Sequence, residues 1–112
     1  MDKALRQKVF DRDESCVKCG KFLYDSVAVH HRKLRKHGGP NTLSNLIALC
    51  SNCHNISPGS VHQNPRDSYE SGYMVPSWAD PEEWPLLLPD GSQVLLKNDG
   101  TTLEIRGKHN GW

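Results

Sequence analysis

Two Cys-x-x-Cys pairs, Cys16-Val17-Lys18-Cys19 and Cys50-Ser51-Asn52-Cys53, constrain this chain more than any other feature, and there is no fifth cysteine. A tight turn aims both thiolates of such a pair at one ion, so two pairs read as a tetrahedral Zn²⁺ site. Gly20, directly after the first pair, is free to take the positive φ that such a turn often needs. Two disulfides are the alternative. They are disfavoured because Met1 to Arg12 carries Asp2, Lys3, Arg6, Lys8, Asp11 and Arg12 and lacks the apolar stretch of a secretory signal. A cytoplasmic location is the default expectation. Thirty residues separate Cys19 from Cys50, more than a zinc ribbon uses, so something must be folded inside that interval.

A chain of 112 residues and 12.6 kDa is expected to form one compact domain with a modest core, which an ion would staple. Only 36% of residues are hydrophobic, and the longest apolar runs, Leu46 to Cys50 and Leu86 to Leu88, are far too short to span a membrane. The formal net charge of +1 conceals an asymmetry: residues 1–37 carry a balance of +5 and residues 38–112 one of −4. A basic front half suits a polyanionic partner such as nucleic acid, although ordinary soluble proteins show similar patches.

Residues 2–13 are predicted helical, with Asp2 as cap and Leu5 and Val9 on one face. Phe22, Leu23 and Tyr24 are apolar and placed to pack on the zinc site. Ser26 to His31 alternates and reads as a strand, and Leu46 to Leu49 as a second strand running into the second knuckle. Between them, Arg32 to Leu43 is a long loop centred on Gly38-Gly39-Pro40-Asn41. A helical stretch over Ser51 to Ile56 is broken by Ser57-Pro58-Gly59, and a short helix follows from Pro65 to Ser71, with Asn64 as cap and Gly72 at its end. Tyr73–Val75, Pro85–Leu88, Gln93–Lys97 and Thr101–Ile105 read as short strands of a small β appendage, with Trp78 and Trp84 as its core. Gly107 to Trp112 is expected to fray.

The histidines lie where this skeleton gathers them. His30 and His31 end the first strand, His54 follows Cys53 directly, and His62 comes eight residues later. The stretch Cys16 to His62, reading CVKCG, VAVHHRKLRKHGG, LSNLIALCSNCH and VH, resembles the HNH endonucleases, whose ββα-metal core is a hairpin followed by a helix. The end section, with GYMVPSWADP and a hairpin, resembles small HNH proteins encoded by bacteriophages.

Residue by residue, the resemblance implies His31 as general base and His30 and His54 as ligands of a divalent ion. It implies Asn45 as the residue that fixes the loop and so orients the base. His62 has three readings: a third ligand, a phosphate contact or a surface residue. An all-imidazole donor set suits Mn²⁺, Ni²⁺, Co²⁺ or Zn²⁺ better than Mg²⁺, which prefers oxygen, although phosphate oxygens and waters keep Mg²⁺ open. Arg32, Lys33, Arg35 and Lys36, where many members have an apolar residue and a proline, are candidates to grip the DNA backbone by charge. His37 and His109 are expected to be solvated, and Asp80, Glu82 and Glu83 to form a solvated turn.

The expectation is therefore an α+β fold: a ββα-metal core stapled by a four-cysteine zinc site, an N-terminal helix and a small C-terminal β appendage. Residues 1–72 form the core, and 73–112 pack on the same domain. The implied activity is metal-dependent hydrolysis of DNA phosphodiester bonds. The rivals are a zinc-knuckle DNA-binding module that does not cut, and a structural zinc domain acting through protein contacts. Oligomeric state is not readable: one active site cuts both DNA strands only by transient dimerisation or by acting twice.

Overall fold

The computed structural model describes residues 2–22 and 27–106. The N-terminal helix α1, Lys3–Asp13, starts where Asp2 accepts a hydrogen bond from the Ala4 amide, satisfying one of the donors that a helix start leaves over. It ends at Glu14, in the left-handed region with φ 61°. Strand β1, Val27–His31, pairs antiparallel with β2, Leu46–Cys50, so that His30 faces Ile47 and His31 faces Leu46. After β2 the chain enters a π-helical turn, Asn52–Ile56, closed by the Ser57 amide reaching back five residues to the Asn52 carbonyl. Helix α2 runs from Pro65 to Ser71 and ends on Gly72. A second sheet, in the order β3 (Leu86–Leu87), β4 (Gln93–Leu96), β5 (Thr102–Arg106), is antiparallel throughout. The fold is α+β, as anticipated.

Strand β2 is the hub because it is apolar on both faces. Leu46 and Ala48 pack with Val9 of α1, while Ile47 and Leu49 join the larger cluster of Cys16, Val17, Val61, Tyr73, Met74, Leu86, Val94 and Leu96. That alternation turns a short apolar run into a strand covered from two sides. Its free edge is also occupied. Val17 N–H donates to the Ala48 carbonyl, and the Ala48 amide donates to Asp13. Arg12, paired with Asp13 at 2.7 Å, donates to the Leu43 and Leu46 carbonyls. The first knuckle, β2 and the C-terminal sheet thus share one hydrophobic cluster.

Several expectations need correction. Tyr73–Val75 is buried but forms no strand; its amides at Met74 and Val75 bond instead to the carbonyls of Ser68 and Arg32. Neither Trp78 nor Trp84 fills the appendage core. Trp78 is 78% exposed and meets Trp84 edge-on at 5.6 Å, while Trp84 Nε1 donates to the Tyr69 carbonyl. The core positions belong to Leu86, Val94 and Leu96, which alternate inward on short strands. Asn64 precedes α2 but does not cap it with its side chain: its Nδ2 donates to the carbonyls of Pro58 and Ser60 and ties the preceding loop. Phe22 is 72% exposed rather than packed inward. Leu23, Tyr24, Ser26, His109 and the terminal stretch 107–112 lie outside the described residues.

Candidate functional site

The Sγ atoms of Cys16, Cys19, Cys50 and Cys53 all lie within 4.8 Å of one another. Cys19 and Cys50 are 3.8 Å apart, far beyond disulfide length, so the disulfide alternative falls. The same separation matches the ~3.8 Å edge of a tetrahedron of sulfurs ~2.3 Å from a central ion, so the donor set fits Zn²⁺. Two observations explain why the knuckles converge. The first turns tightly on itself, Gly20 N–H reaching the Cys16 carbonyl at 2.8 Å with φ +77° at the glycine, and the second continues directly from β2. Burial, reinforced by the neighbouring Cys50, holds the Cys53 thiol well above its usual range.

His30, His54 and His62 form a second donor cluster, also with ligand atoms within 4.8 Å of one another. Their ring centroids are 4.6 to 5.2 Å apart with interplanar angles of 67° to 81°, so the rings meet edge-on around a common centre. His30 Nε2 lies 2.8 Å from the Tyr73 carbonyl oxygen. A carbonyl only accepts, so Nε2 carries the proton and Nδ1 keeps the lone pair, the arrangement that orients a metal-ligating imidazole. His54 and His62 meet Nε2 to Nε2 at 3.0 Å. Burial, with His62 and His54 close by, pushes His30 down to about 3, and burial next to His62 also lowers His54. Both shifts favour the neutral form of His30 and His54, the form that binds a cation.

The eight-residue spacing of His54 and His62 is bridged by backbone. Val61 N–H bonds to the Cys53 carbonyl at 2.7 Å and His62 N–H to the His54 carbonyl at 3.2 Å, folding the Ser57-Pro58-Gly59 loop back alongside the π turn. His62 therefore joins the other two histidines. His30 is buried, His54 half-buried and His62 exposed, so the cluster opens to solvent on one side.

His31 does not enter this cluster. Strand β1 ends at His31, successive side chains take opposite sides, and His31 Nε2 lies 2.7 Å from Asn41 Oδ1. Asn45 is fully buried and pins the intervening loop from both ends: Oδ1 accepts from the Lys33 amide at 2.7 Å, and Nδ2 donates to the carbonyls of Lys33 and Pro40. Gly39 lies so close to this loop's start that a Cβ there would sit 1.8 Å from the Lys33 oxygen. Asn41 was visible in the sequence only as part of a loop signal, and Tyr73 only as an apolar residue. Neither role leaves a mark in residue type or spacing.

Of the four basic residues, Arg32 must be reassigned. It is 0% exposed, and its guanidinium donates to the carbonyls of Gly72, Ser44, Pro81 and Trp84 at 2.6 to 3.2 Å. With four of its five N–H groups spent on carbonyls and the side chain wholly buried, it is not placed to grip a phosphate. Lys33 is half-buried and donates to the Ala79 carbonyl, whereas Arg35 and Lys36 are exposed on a single 3-10 turn, Arg35–His37. His37 is exposed, and Asp80 caps the turn Pro81–Glu83 by accepting from the Glu82 amide.

The family model described as HNH endonuclease matches residues 16–57, from the first knuckle through the π turn. Residues 16–57 are therefore similar to an HNH endonuclease domain. The similarity suggests a nuclease or DNA-binding family. No curated protein and no solved structure matches the chain. The HNH segment includes the four cysteines, His30, His31, Asn45 and His54; His62 lies just beyond it. No helix among the described residues is long and apolar enough to cross a membrane.

Proposed function

We propose that this chain is a metal-dependent HNH endonuclease that hydrolyses DNA phosphodiester bonds, leaving 5′-phosphate and 3′-hydroxyl ends. The observation that carries the reading is the convergence of His30, His54 and His62 one residue away from an imidazole, His31, held separately by Asn41. Nδ1 of His30 and Nε2 of His54 and His62 would hold one divalent ion, which would supply positive charge against the phosphate and the departing 3′-oxygen.

The protein's own groups do the rest. His31 takes the proton from the attacking water: with Nε2 donating to Asn41, its Nδ1 lone pair is the acceptor. Asn45 fixes the loop that delivers Asn41, so its work is positional. Tyr73 holds His30 in the tautomer that presents a lone pair to the ion. Arg35 and Lys36, exposed on the loop that follows His31, supply charge for the DNA backbone. The four thiolates hold structural Zn²⁺, and all-nitrogen ligation makes Mn²⁺, Ni²⁺, Co²⁺ or Zn²⁺ better suited to the histidine site than Mg²⁺.

A supercoiled-plasmid assay across Mg²⁺, Mn²⁺, Co²⁺, Ni²⁺ and Zn²⁺, with His31→Ala as control, tests the reading. Cleavage that needs an added ion and His31 is expected. Salt-sensitive DNA binding without turnover under any ion would instead identify a non-catalytic DNA-binding module.

A further inference from the structure

The C-terminal sheet ends on β5, and β5 differs from every other described strand: all five of its side chains are exposed, Leu103 at 53% and Ile105 at 46%. Its inner edge is paired to β4, Leu95 against Leu103 and Val94 against Glu104. Its outer edge takes no main-chain hydrogen bond from any other described segment. A row of open N–H and C=O groups is a template for another strand, and proteins usually blunt it with Pro, Lys or a bulge on the outer strand. The segment Thr102-Leu103-Glu104-Ile105-Arg106 has neither Pro nor Lys, and the register shift lies between Gln93 and Val94, on β4.

The charges on β5 select the occupant. Leu103 and Ile105 share one face, and Glu104 and Arg106 the other. When two copies approach antiparallel about a two-fold axis centred on Ile105, each Glu104 falls directly opposite the other copy's Arg106, whereas an axis centred on Glu104 would set the two glutamates against each other and is disfavoured. The apolar faces of the two strands then lie side by side. A pattern that pairs with itself, on an edge open to solvent, points to a second copy of this chain rather than to an unrelated peptide.

We propose that β5 is a homodimerisation edge, two copies joining through antiparallel β5–β5 pairing into one six-stranded sheet. Five residues a side make a small interface, so the dimer is weak in free solution and favoured where two copies are held close on one DNA molecule. The pairing stands independently of the cleavage chemistry.

Sedimentation equilibrium on the full chain, from about ten micromolar to about one millimolar, reads the mass directly. The expected result is a concentration-dependent rise from 12.6 kDa toward twice that value. Arg106→Glu and Glu104→Arg each place like charges across the axis, and each should weaken self-association at least about tenfold. Mixed one to one, they become complementary, and association should return. Both positions are exposed, so unchanged circular dichroism and zinc content establish that the variants are folded. A monomeric wild type at every concentration overturns the proposal. So does a dimer indifferent to both charge reversals, or a mixture that fails to associate.

Discussion

The Nε2 atom of His31 lies 2.7 Å from Oδ1 of Asn41, and Asn41 follows the Pro40 carbonyl that Asn45 holds at 3.0 Å. A buried amide thus fixes the partner of an imidazole through one intervening residue. His31→Ala should lower cleavage by at least about a hundredfold, the usual worth of a general base, while the Kd for DNA stays within about twofold. Asn41→Ala should lower kcat by a smaller factor with KM unchanged. Full activity in His31→Ala would remove the base assignment, whatever Asn41→Ala does.

Arg32 donates to four carbonyls and is fully buried, so replacing it leaves several acceptors without partners. Arg32→Met is expected to cost about 3 kcal/mol or more of stability, since a single hydrogen bond to a charged group contributes roughly 1.5–3 kcal/mol. Thermal denaturation checks this, and a melting temperature within about two degrees of wild type would contradict the cage.

Exposed Arg35 and Lys36 should act oppositely, through binding rather than folding. Changing both to Gln should leave the melting temperature unaltered and flatten the slope of log affinity against log salt by up to about 0.9 for each phosphate no longer neutralised. An identical slope would place the DNA elsewhere on the surface.

His30 is pushed down to about 3 by burial and by its histidine neighbours. An unfolded histidine titrates at 6.5, so between 6.5 and about 3 the unfolded chain binds more protons than the folded one. Stability contributed by the neutral ring is therefore complete above 6.5 and is lost as pH falls through this window, at about 1.4 kcal/mol per pH unit. Comparing wild type with His30→Gln isolates this effect: the melting temperature of the variant should fall less steeply between pH 6.5 and 5.5. Parallel curves would show that His30 takes up protons in the native state as readily as in the unfolded chain.

Cys53→Ser removes one of four sulfurs. Zinc content and melting temperature should fall together, because ligation free energy is folding free energy in a small domain. A normal melt with no bound zinc would show the knuckles to be metal-independent.

Much of this was legible in the chain because its signals are local. Asp2 caps α1, the apolar run Leu46–Cys50 forms β2, Gly72 ends α2, and the two knuckles were readable from spacing alone. What could not be read is set by distant partners. Arg32 looks like its neighbours Lys33 and Arg35, and only the approach of residues 72, 81 and 84 makes it a buried tie. His62 sits at a spacing no regular helix would place beside His54; a π turn and two backbone bonds close the gap. The tryptophans stay outside the appendage core because its short strands offer inward positions only to smaller side chains.

Cys53 and His54 are consecutive residues on a single π-helical turn, one facing the sulfurs and the other the imidazoles. Neighbouring peptide units thus answer to two different centres, with no slack between them to absorb the loss of either. On the proposed reading, losing an ion from the thiolates should loosen the histidine centre as well, so Cys53→Ser ought to weaken binding of added Co²⁺ at His30, His54 and His62.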